Sequence, residues 1–379
     1  MGNQLVIKTE LLKDVCSKIL TAVDTSEQSV ITETLELVAK DNHLVIGVTN
    51  REYFAEVKME MTGDYEFHAA VPANLFLKLI SQITTEDIQL TVTENALKVR
   101  GNGDYKVTLS TDSQGMVELP RIEIQNVTAE FPISADILNS ILTFNSKEFT
   151  KGTISNPIQK MYYVDEYGAV TFTSGACVNS FTLAQPIKLL LNKRLVALFK
   201  LFKGGDVKFT LGYDSLSDDI IQTKVKFEND SVAITAILSC DDSLMSKFPV
   251  SAVRNRASKE YPYNMCVNRM EMIQTINRLT LFNSATNAVT KNYGIFECGP
   301  SEVTVYDANK ANKEVIKYAN NDGGVPGLTS YVMLLNLDDL KATLDSCVET
   351  HVRIHFGDEA AIMIPRGNIR NIVPQTKVS

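Results

Sequence analysis

The chain has 379 residues, a length typical of two to four domains with several buried cores. Hydrophobic residues make up 44% and charged residues 22%, as in an ordinary soluble globular protein, and no apolar run approaches the ~20 residues that a membrane-spanning helix needs. The formal net charge of −8 argues against a uniformly basic nucleic-acid surface, but it leaves an acidic exterior with a locally basic lining open.

The cysteines and the N-terminus indicate a cytoplasmic protein without membrane association. Six cysteines stand singly, with no Cys-x-x-Cys pair, so we expect reduced, mostly buried thiols rather than disulfides or a thiolate zinc site. The first residues also lack a basic segment followed by an apolar core, the pattern typical of a secretion signal.

The first segment, residues 1–127, alternates helical and strand patterns. A helix is predicted from Thr9 to about Ala22, and several alternating strands follow it. A second helix begins after Pro72, where a missing N–H does no harm, and three more strands end near Val107. This segment is therefore predicted to be one domain with the order helix, strands, helix, strands.

The same order recurs in residues 128–254 and again in residues 255–366, whereas residues 367–379 have no clear period and are predicted to be a C-terminal tail. Each copy contains an amphipathic helix that leads through a polar link into an alternating strand: Val71–Ile83 into Ile88–Val92, Leu191–Lys203 into Asp206–Leu211, and Leu335–Asp345 into His351–Phe356. A repeat of roughly 120–145 residues is too long for a solenoid and indicates three tandem domains. The predicted fold class is α+β, with helices on one face of antiparallel sheets.

The helix of the second copy has two distinct sides. At about 100° per residue, one side carries the apolar residues Leu195, Leu198, Phe199 and Phe202. The opposite side carries Lys193, Ala197 and Lys200. This pattern predicts a buried apolar back and a cationic front.

Several segments in this order resemble the bacterial-type DNA polymerase III beta sliding clamp family, of which the chain would be a divergent member: Val71–Gly101, Thr173–Val178, Lys247–Pro249, Asn277–Ala285 and Ile362–Pro365. The resemblance implies a head-to-tail homodimer closed into a ring around duplex DNA, with the helices facing the hole. It also implies binding of DNA without regard to sequence, tethering of the replicative DNA polymerase, and opening by a clamp loader. The family has no catalytic activity and no cofactor.

A ring that slides should touch phosphates through cations without reading bases. The candidate DNA-binding residues on the helices and one loop are Lys78, Lys147, Lys151, Lys193, Lys200 and Arg278. Solvated helix faces are the alternative for each single cation. The turn at Asp24–Ser29 lacks the arginine that familiar members carry there, so DNA contact at that turn is not expected.

The resemblance also implies one partner-peptide groove per subunit, between the second and third domains. The matching residues are Ile158, Thr173, Gly175, Ala176, Cys177, Val178, Pro249, Val253, Ile362, Ile364, Pro365 and Arg366. An apolar peptide needs aliphatic walls with few charges, which these residues supply. Ordinary strand core is the alternative for Val178, Ile362 and Ile364. The segment Thr173–Val178 departs from the usual family sequence, and about a dozen residues extend the chain beyond the usual ending after the proline. These departures predict either a different peptide preference or a tail that lies across the groove.

The subunit joint matches Val107 and Leu109 in the first domain and Leu281 and Phe282 in the third. Pairing of edge strands with a small apolar cluster would close the ring. The alternative is that these residues, Val107 above all, belong to the cores of their own domains.

No catalytic constellation stands out, so the chain is predicted not to be an enzyme. His351 and His355 would lie about 13 Å apart along a strand, which does not suit a shared metal. Cys177 has no activating neighbour in sequence, and no phosphate-binding glycine loop is present. The remaining alternatives are a clamp-shaped scaffold that does not encircle DNA and, more remotely, an unrecognised hydrolase.

Overall fold

The structure is a computed structural model that describes residues 4–23, 29–61, 65–144, 157–173, 175–217, 220–238, 242–283, 292–327, 330–358 and 360–376. Three successive segments have one element order: a strand, a helix, four strands, a helix and three strands. This order confirms the predicted α+β class and the three tandem copies of one domain.

The first domain comprises β1 Leu5–Lys8, α1 Thr9–Ile19, β2 Thr34–Lys40, β3 His43–Thr49, β4 Tyr53–Glu60, β5 Phe67–Pro72, α2 Ala73–Gln82, β6 Asp87–Val92, β7 Ala96–Arg100 and β8 Asp104–Thr108. The second comprises β9 Asn126–Ser134, α3 Ala135–Thr143, β10 Met161–Asp165, β11 Gly168–Phe172, β12 Ala176–Ser180, β13 Lys188–Asn192, α4 Lys193–Ala197, β14 Asp206–Ser217, β15 Ile220–Glu228 and β16 Val232–Ile237. The third comprises β17 Tyr263–Asn268, α5 Arg269–Thr280, β18 Tyr293–Cys298, β19 Glu302–Tyr306, β20 Lys313–Lys317, β21 Tyr331–Asn336, α6 Leu337–Ser346, β22 His351–Asp358, β23 Ala361–Arg366 and β24 Ile369–Thr376.

Several short elements connect these, among them two-residue strands at Thr111–Asp112, Gly115–Met116 and Gly323–Gly324. The linker between the second and third domains forms a helix at Val250–Ala257, here called the linker helix, which follows a shorter one at Asp242–Ser246. Single helical turns lie at Leu20–Ala22, Val30–Glu33, Pro157–Lys160, Leu198–Leu201 and Ala319–Asn321.

The described chain divides into two compact units. Unit 1 is Met1–Asn139 with Leu191–Cys240, and unit 2 is Ser140–Leu190 with Asp241–Ser379. In unit 1, an antiparallel sheet of eight strands has the order β9-β14-β15-β16-β4-β3-β2-β5. Its central pairing sets Val232 of β16 opposite Val57 of β4 and Ala236 opposite Tyr53. The first and second domains therefore share one continuous sheet.

Unit 2 contains the equivalent junction between the second and third domains. Strand β24 pairs with β12, so that Ala176 lies opposite Ile372 and Asn179 opposite Ile369. The same strand also pairs with β23 along its length and with β21 at its end. The prediction that residues 367–379 form a tail is therefore wrong, because Ile369–Thr376 is the eighth strand of the third domain.

Polar residues on β24 explain why its period was missed. Asn371 is 3% exposed and stands where an apolar residue would mark a strand facing the core. Its side chain accepts a hydrogen bond from Cys177 Sγ at 2.9 Å and donates one to the Ile364 carbonyl oxygen at 3.4 Å. Because these partners satisfy the buried amide, a polar residue can occupy this core-facing position, and the strand does not show a simple alternation of apolar and polar residues.

The α4 segment buries its apolar side as predicted, although its regular part is shorter than the sequence suggests. Leu195, Leu198, Phe199 and Phe202 are at most 1% exposed. The Phe199 ring packs edge-on against Phe227 of β15, with 4.9 Å between ring centroids. The α-helix covers only Lys193–Ala197 and then tightens into a 3₁₀ turn, Leu198–Leu201. The N-cap is Asn192, whose Oδ1 accepts a hydrogen bond from the Leu195 N–H at 2.8 Å.

The linker between the first and second domains packs on the sheet of unit 1. Val117 and Leu119 are buried in one apolar cluster with Phe54. The Arg121 guanidinium pairs with buried Glu36 at 2.6 Å and lies 4.1 Å from the centroid of the Phe54 ring. These contacts fix the linker to strands β2 and β4, so the junction has a covering layer as well as paired strands.

Two backbone segments approach each other closely at the turn between β10 and β11 in unit 2. A Cβ on Gly168 would lie 2.2 Å from the Asn179 carbonyl oxygen, whereas a Cβ on Gly115 would have no atom within 4 Å. Both glycines have positive φ, 142° and 130°.

Gly168→Ala should therefore lower the free energy of unfolding by about 2 kcal/mol more than Gly115→Ala, the size of an overpacking penalty. Chemical denaturation of both variants measures this difference; equal losses would contradict the close approach.

A buried ion pair in unit 1 should make stability depend on acid pH. Asp214 pairs with Lys224, and its Oδ1 accepts a hydrogen bond from the Gln125 N–H at 2.9 Å. The hydrogen bond from Lys224 and then that from Gln125 hold the pKa of Asp214 below its ordinary 3.8. The stability that this carboxylate contributes is therefore full above pH 3.8 and is lost as the pH falls through the lowered pKa.

We expect Asp214→Asn to lower the melting temperature at neutral pH and to flatten its decline toward about pH 3. Thermal melts followed by circular dichroism across this range measure both effects. Asp136→Asn, at an exposed carboxylate on α3, is the control and should keep the wild-type pH profile. A wild-type slope in Asp214→Asn would exclude the proposed linkage.

Candidate functional site

The junction sheet of unit 2 carries most of the predicted groove residues and sorts them onto two faces. Directly paired residues in antiparallel strands share a face. Val178 of β12, Arg370 of β24 and Pro365 of β23 lie opposite one another, as do Ala176, Ile372 and Met363. We call this side the linker face, because the linker helix packs against β12 and β24 there.

Four of the predicted groove residues lie on the other face of this sheet. Ile362 and Ile364 are fully buried in the core of the third domain, which supports the core alternative for both. Cys177 is buried and bonded to Asn371, as described above, so it has a packing role. Arg366 donates to the carbonyl oxygens of Ser346 and, at 3.0 Å, of Phe144.

A segment outside the predicted groove, Ile372–Pro374, lies beside Gly175. A Cβ on Gly175 would lie 2.6 Å from the Ile372 carbonyl oxygen and 3.6 Å from Pro374 Cδ. Thr173 is tied to the same turn, because its N–H donates to the Gly175 carbonyl oxygen at 2.8 Å. The third domain therefore contacts this turn through Ile372–Pro374 of β24 rather than through Ile362–Pro365 of the preceding strand β23.

A signal for this segment was present in the sequence. Ile372-Val-Pro374 repeats the aliphatic residues and proline of Ile362–Pro365, and Gly367-Asn368 marks a turn between the two. Either segment could supply the apolar ending expected for the groove. Strand pairing, which the sequence does not reveal, decides between them.

The linker helix supplies the other wall of the linker face. Val253 is buried, and Phe248 packs on Tyr163 with 5.5 Å between ring centroids. Arg254 binds Asp165 of β10 with two nearly parallel hydrogen bonds of 2.7 and 2.6 Å. Pro249, which is half-buried, precedes the helix. Ile158, which is buried, lies in the turn before β10. The linker region therefore brings apolar side chains to the linker face of the junction strands.

The predicted DNA-binding cations differ in how available their charges are. Lys78 on α2 and Lys193 at the start of α4 are exposed, and Lys200 is half-buried. Burial, and then the charge of Lys18, lower the pKa of Lys200. Arg278 is bound by both carboxylate oxygens of Glu314 at 2.7 and 2.6 Å, so its charge is compensated locally. Lys147 and Lys151 lie outside the described residues.

Two lysines absent from the predicted set lie close to Lys200 in unit 1. Lys18 of α1 and Lys203 after α4 both pair with Asp14, the former at 2.8 Å. Hydrogen bonds from these lysines lower the pKa of Asp14. Two cations from different elements therefore converge on Asp14, which the sequence pattern does not reveal.

The predicted subunit-joint residues divide into one buried and three accessible positions. Val107 is buried in the first domain at 2% exposure, as its core alternative proposed, and Leu109 is half-buried. Leu281 and Phe282, after α5, are 72% and 52% exposed. Exposed apolar side chains of this size are suited to a protein contact.

The described residues hold no cluster of three or more potential metal ligands. Within the same residues, no helix has the length and apolar character needed to cross a bilayer. The free cysteines include Cys16, where burial raises the thiol pKa to about 12, far from that of a reactive thiolate.

Comparisons with known proteins agree on one family. Residues 3–120 match the family model of the DNA polymerase III beta subunit, N-terminal domain. A beta sliding clamp of Mycoplasmopsis pulmonis is 26% identical over 149 residues, which are 39% of this chain and 36% of that protein, so the match spans about a third of the relative's length.

Solved structures resemble the fold over its full length. DNA polymerase III subunit beta from Borrelia burgdorferi superposes with a TM-score of 0.75 at 12% identity and covers 100% of both chains. The DNA polymerase sliding clamp from Bacillus subtilis gives 0.72 at 14% identity and covers 99% of both. The first domain therefore matches the DNA polymerase III beta family model, and the whole chain has the fold of the sliding clamps.

Proposed function

We propose that this protein is a DNA sliding clamp, in which two copies join head to tail into a ring around duplex DNA and tether the replicative DNA polymerase in the cytoplasm. One observation carries the proposal: both junctions within the chain pair the eighth strand of one domain with the fourth strand of the domain before it. These pairs are β16 with β4 and β24 with β12.

The same rule leaves two strands without a junction partner among the described residues. They are β8, the eighth strand of the first domain, and β20, the fourth strand of the third. Each is the last strand of its sheet and presents unpaired backbone groups along one edge. Pairing β8 of one copy with β20 of another repeats the internal junction twice and closes a cyclic dimer.

The side chains near these edges favour such a joint. Tyr105 on β8 is 37% exposed and Val315 on β20 is 48% exposed. Arg278 of α5 binds Glu314 of β20, which holds the end of α5 close to that edge. Leu281 and Phe282 follow within one turn and supply the apolar contact, with Leu109 as the matching residue of the first domain.

DNA binding in the ring rests on cations that act on phosphates without reading sequence. Lys78, Lys193 and Lys200 are the described residues that we assign to this role, and Arg278 contributes less because Glu314 compensates it. The family resemblance adds Lys147 and Lys151. The proposed role is topological and requires no catalysis, metal or cofactor.

The polymerase and the clamp loader would bind through peptides with apolar anchors on the linker face of unit 2. Its walls come from Thr173, Gly175, Ala176, Val178, Pro249, Val253, Ile372 and Pro374. Cys177, Ile362, Ile364 and Arg366 support these walls from the opposite face, and Ile158 and Pro365 lie at the margins.

A second candidate is a clamp-shaped scaffold that binds replication proteins without encircling DNA. The observation that favours it is the compensation of cations, since Glu314 neutralises Arg278 and Asp14 lies between Lys18 and Lys203. The two functions differ in whether retention depends on DNA topology.

The proposed subunit joint can be tested by placing charges in it. Leu281→Asp combined with Phe282→Asp should convert a dimer into a monomer, because two carboxylates would be buried without partners in the contact. Light scattering coupled to size exclusion measures the mass. Val348→Asp is the matched control, since Val348 is 86% exposed in the turn before β22 and should leave the dimer intact. A double variant that remains dimeric would refute this joint.

Encirclement of DNA can be tested by cutting a circle on which the protein is loaded. With the cognate loader and ATP, the protein should remain on nicked circular duplex DNA and dissociate within minutes after the circle is linearised. Lys193→Glu with Lys200→Glu should lower polymerase stimulation about tenfold or more while mass and melting temperature stay unchanged, because phosphate attraction becomes repulsion. Retention that is equal on circular and linear DNA would favour the scaffold.

A further inference from the structure

A concave pocket of about 560 Å³ lies on the linker face of unit 2, beside the proposed peptide groove. Val178 and Met363 form an apolar floor, and Tyr167, which is 65% exposed, stands at one side. Arg254 and Lys259 at the end of the linker region, with Arg370 of β24, supply the charges of its rim. The pocket is therefore lined by cations over an apolar base.

None of the described residues that line this pocket is acidic, although the chain as a whole has a formal net charge of −8. Asp165 compensates Arg254 from below and is itself 7% exposed at its side chain. Arg256 and Lys259 share the single carboxylate of Asp358, with Lys259 at 3.0 Å. Glu166 is a further carboxylate close enough to act on Arg254.

Arg370 is the cation that lacks a carboxylate partner. Its guanidinium donates to the carbonyl oxygens of Gly367 and Ile369, and among the described residues no carboxylate lies within ion-pair distance of it. Burial, and then the charges of Arg353 and Arg370, lower the pKa of His355, whose strand neighbour is Met363. No carboxylate among the described residues therefore compensates the charge of Arg370 by an ion pair.

We infer that this pocket binds an acidic side chain, Asp or Glu, of the same partner peptide whose apolar residues occupy the proposed groove. The inference rests on the proposed groove and adds the charge of its partner. Val178 connects the two, because it belongs to the groove wall and to the pocket floor. Arg370 lies directly opposite Val178 in the strand pairing, so its backbone lies one strand spacing from the apolar wall, and its side chain lines the same pocket.

The shape of the site favours a peptide over duplex DNA. A duplex presents a convex row of phosphates, whereas this pocket is a concavity with an apolar floor that suits one or two side chains. Ser180, Ser258 and Asn368 also line it and can accept or donate further hydrogen bonds. An acidic residue about two positions from the apolar anchors of an extended peptide would reach the cations.

Three fluorescein-labelled synthetic peptides of equal length test the inference by fluorescence polarisation with the full chain. One carries Leu and Phe anchors between serines, and the other two replace the serines on the N-terminal or the C-terminal side with Asp-Glu. We expect one acidic peptide to bind about fivefold to tenfold more tightly than the neutral one at low salt, with the gain lost at about 0.5 M salt.

The Arg370→Gln, Lys259→Gln double variant should lose this gain and keep the affinity for the neutral peptide. Arg370→Lys preserves the charge and should keep most of the gain, which separates a charge effect from a folding defect. Lys188→Gln, at an exposed lysine on β13, is the matched control and should behave as wild type.

The outcomes distinguish this inference from the groove on which it rests. Equal binding of the neutral and acidic peptides, unchanged in the double variant, would overturn the acidic-residue site alone. Binding of none of the three would overturn the groove and this site together. If the double variant instead lost binding to a labelled duplex while peptide affinities stayed constant, the cations would belong to DNA and the inference would be wrong.

Discussion

Backbone pairing between strands of successive domains is the constraint on which the rest of this structure depends. A β-strand edge carries fixed donors and acceptors, so two domains that share a sheet have their register determined residue by residue. Here β16 joins β4 and β24 joins β12, each with an antiparallel register. Side-chain packing then covers each junction, with Arg121 and Phe54 in unit 1 and the linker helix in unit 2.

Strand β24 shows how this constraint positions a functional surface. Its pairing with β12 sets Ile372 and Pro374 beside Gly175, and it sets Arg370 opposite Val178. The same strand completes the core of the third domain through Val373. One element therefore supplies core on one face and, on the other, a wall of the proposed peptide groove with a charge beside it, as the alternation of a strand requires.

Much of the fold could be predicted from the sequence, because helical and strand periods recur three times and the apolar side of α4 is unambiguous. The pairing of strands could not be predicted, because the periodicity of a strand does not reveal which other strand it pairs with. The sequence therefore predicts Ile362 and Ile364 as groove residues, although they are core, and predicts Ile372–Pro374 as part of a tail, although it is a strand. The compensation of Arg278 by Glu314 was equally invisible, because the two residues are 36 positions apart.

The long separation of the junction strands has a consequence for how the protein acquires its structure. The hydrogen bond from Cys177 to Asn371 joins residues 194 positions apart, so the sheet of unit 2 forms only after a large loop has closed. Until then β12 keeps a bare edge next to a hydrophobic surface, a state that favours aggregation. Nascent or heat-damaged molecules should therefore depend on chaperones until β24 is paired, and an isolated middle domain should be a poor autonomous folding unit.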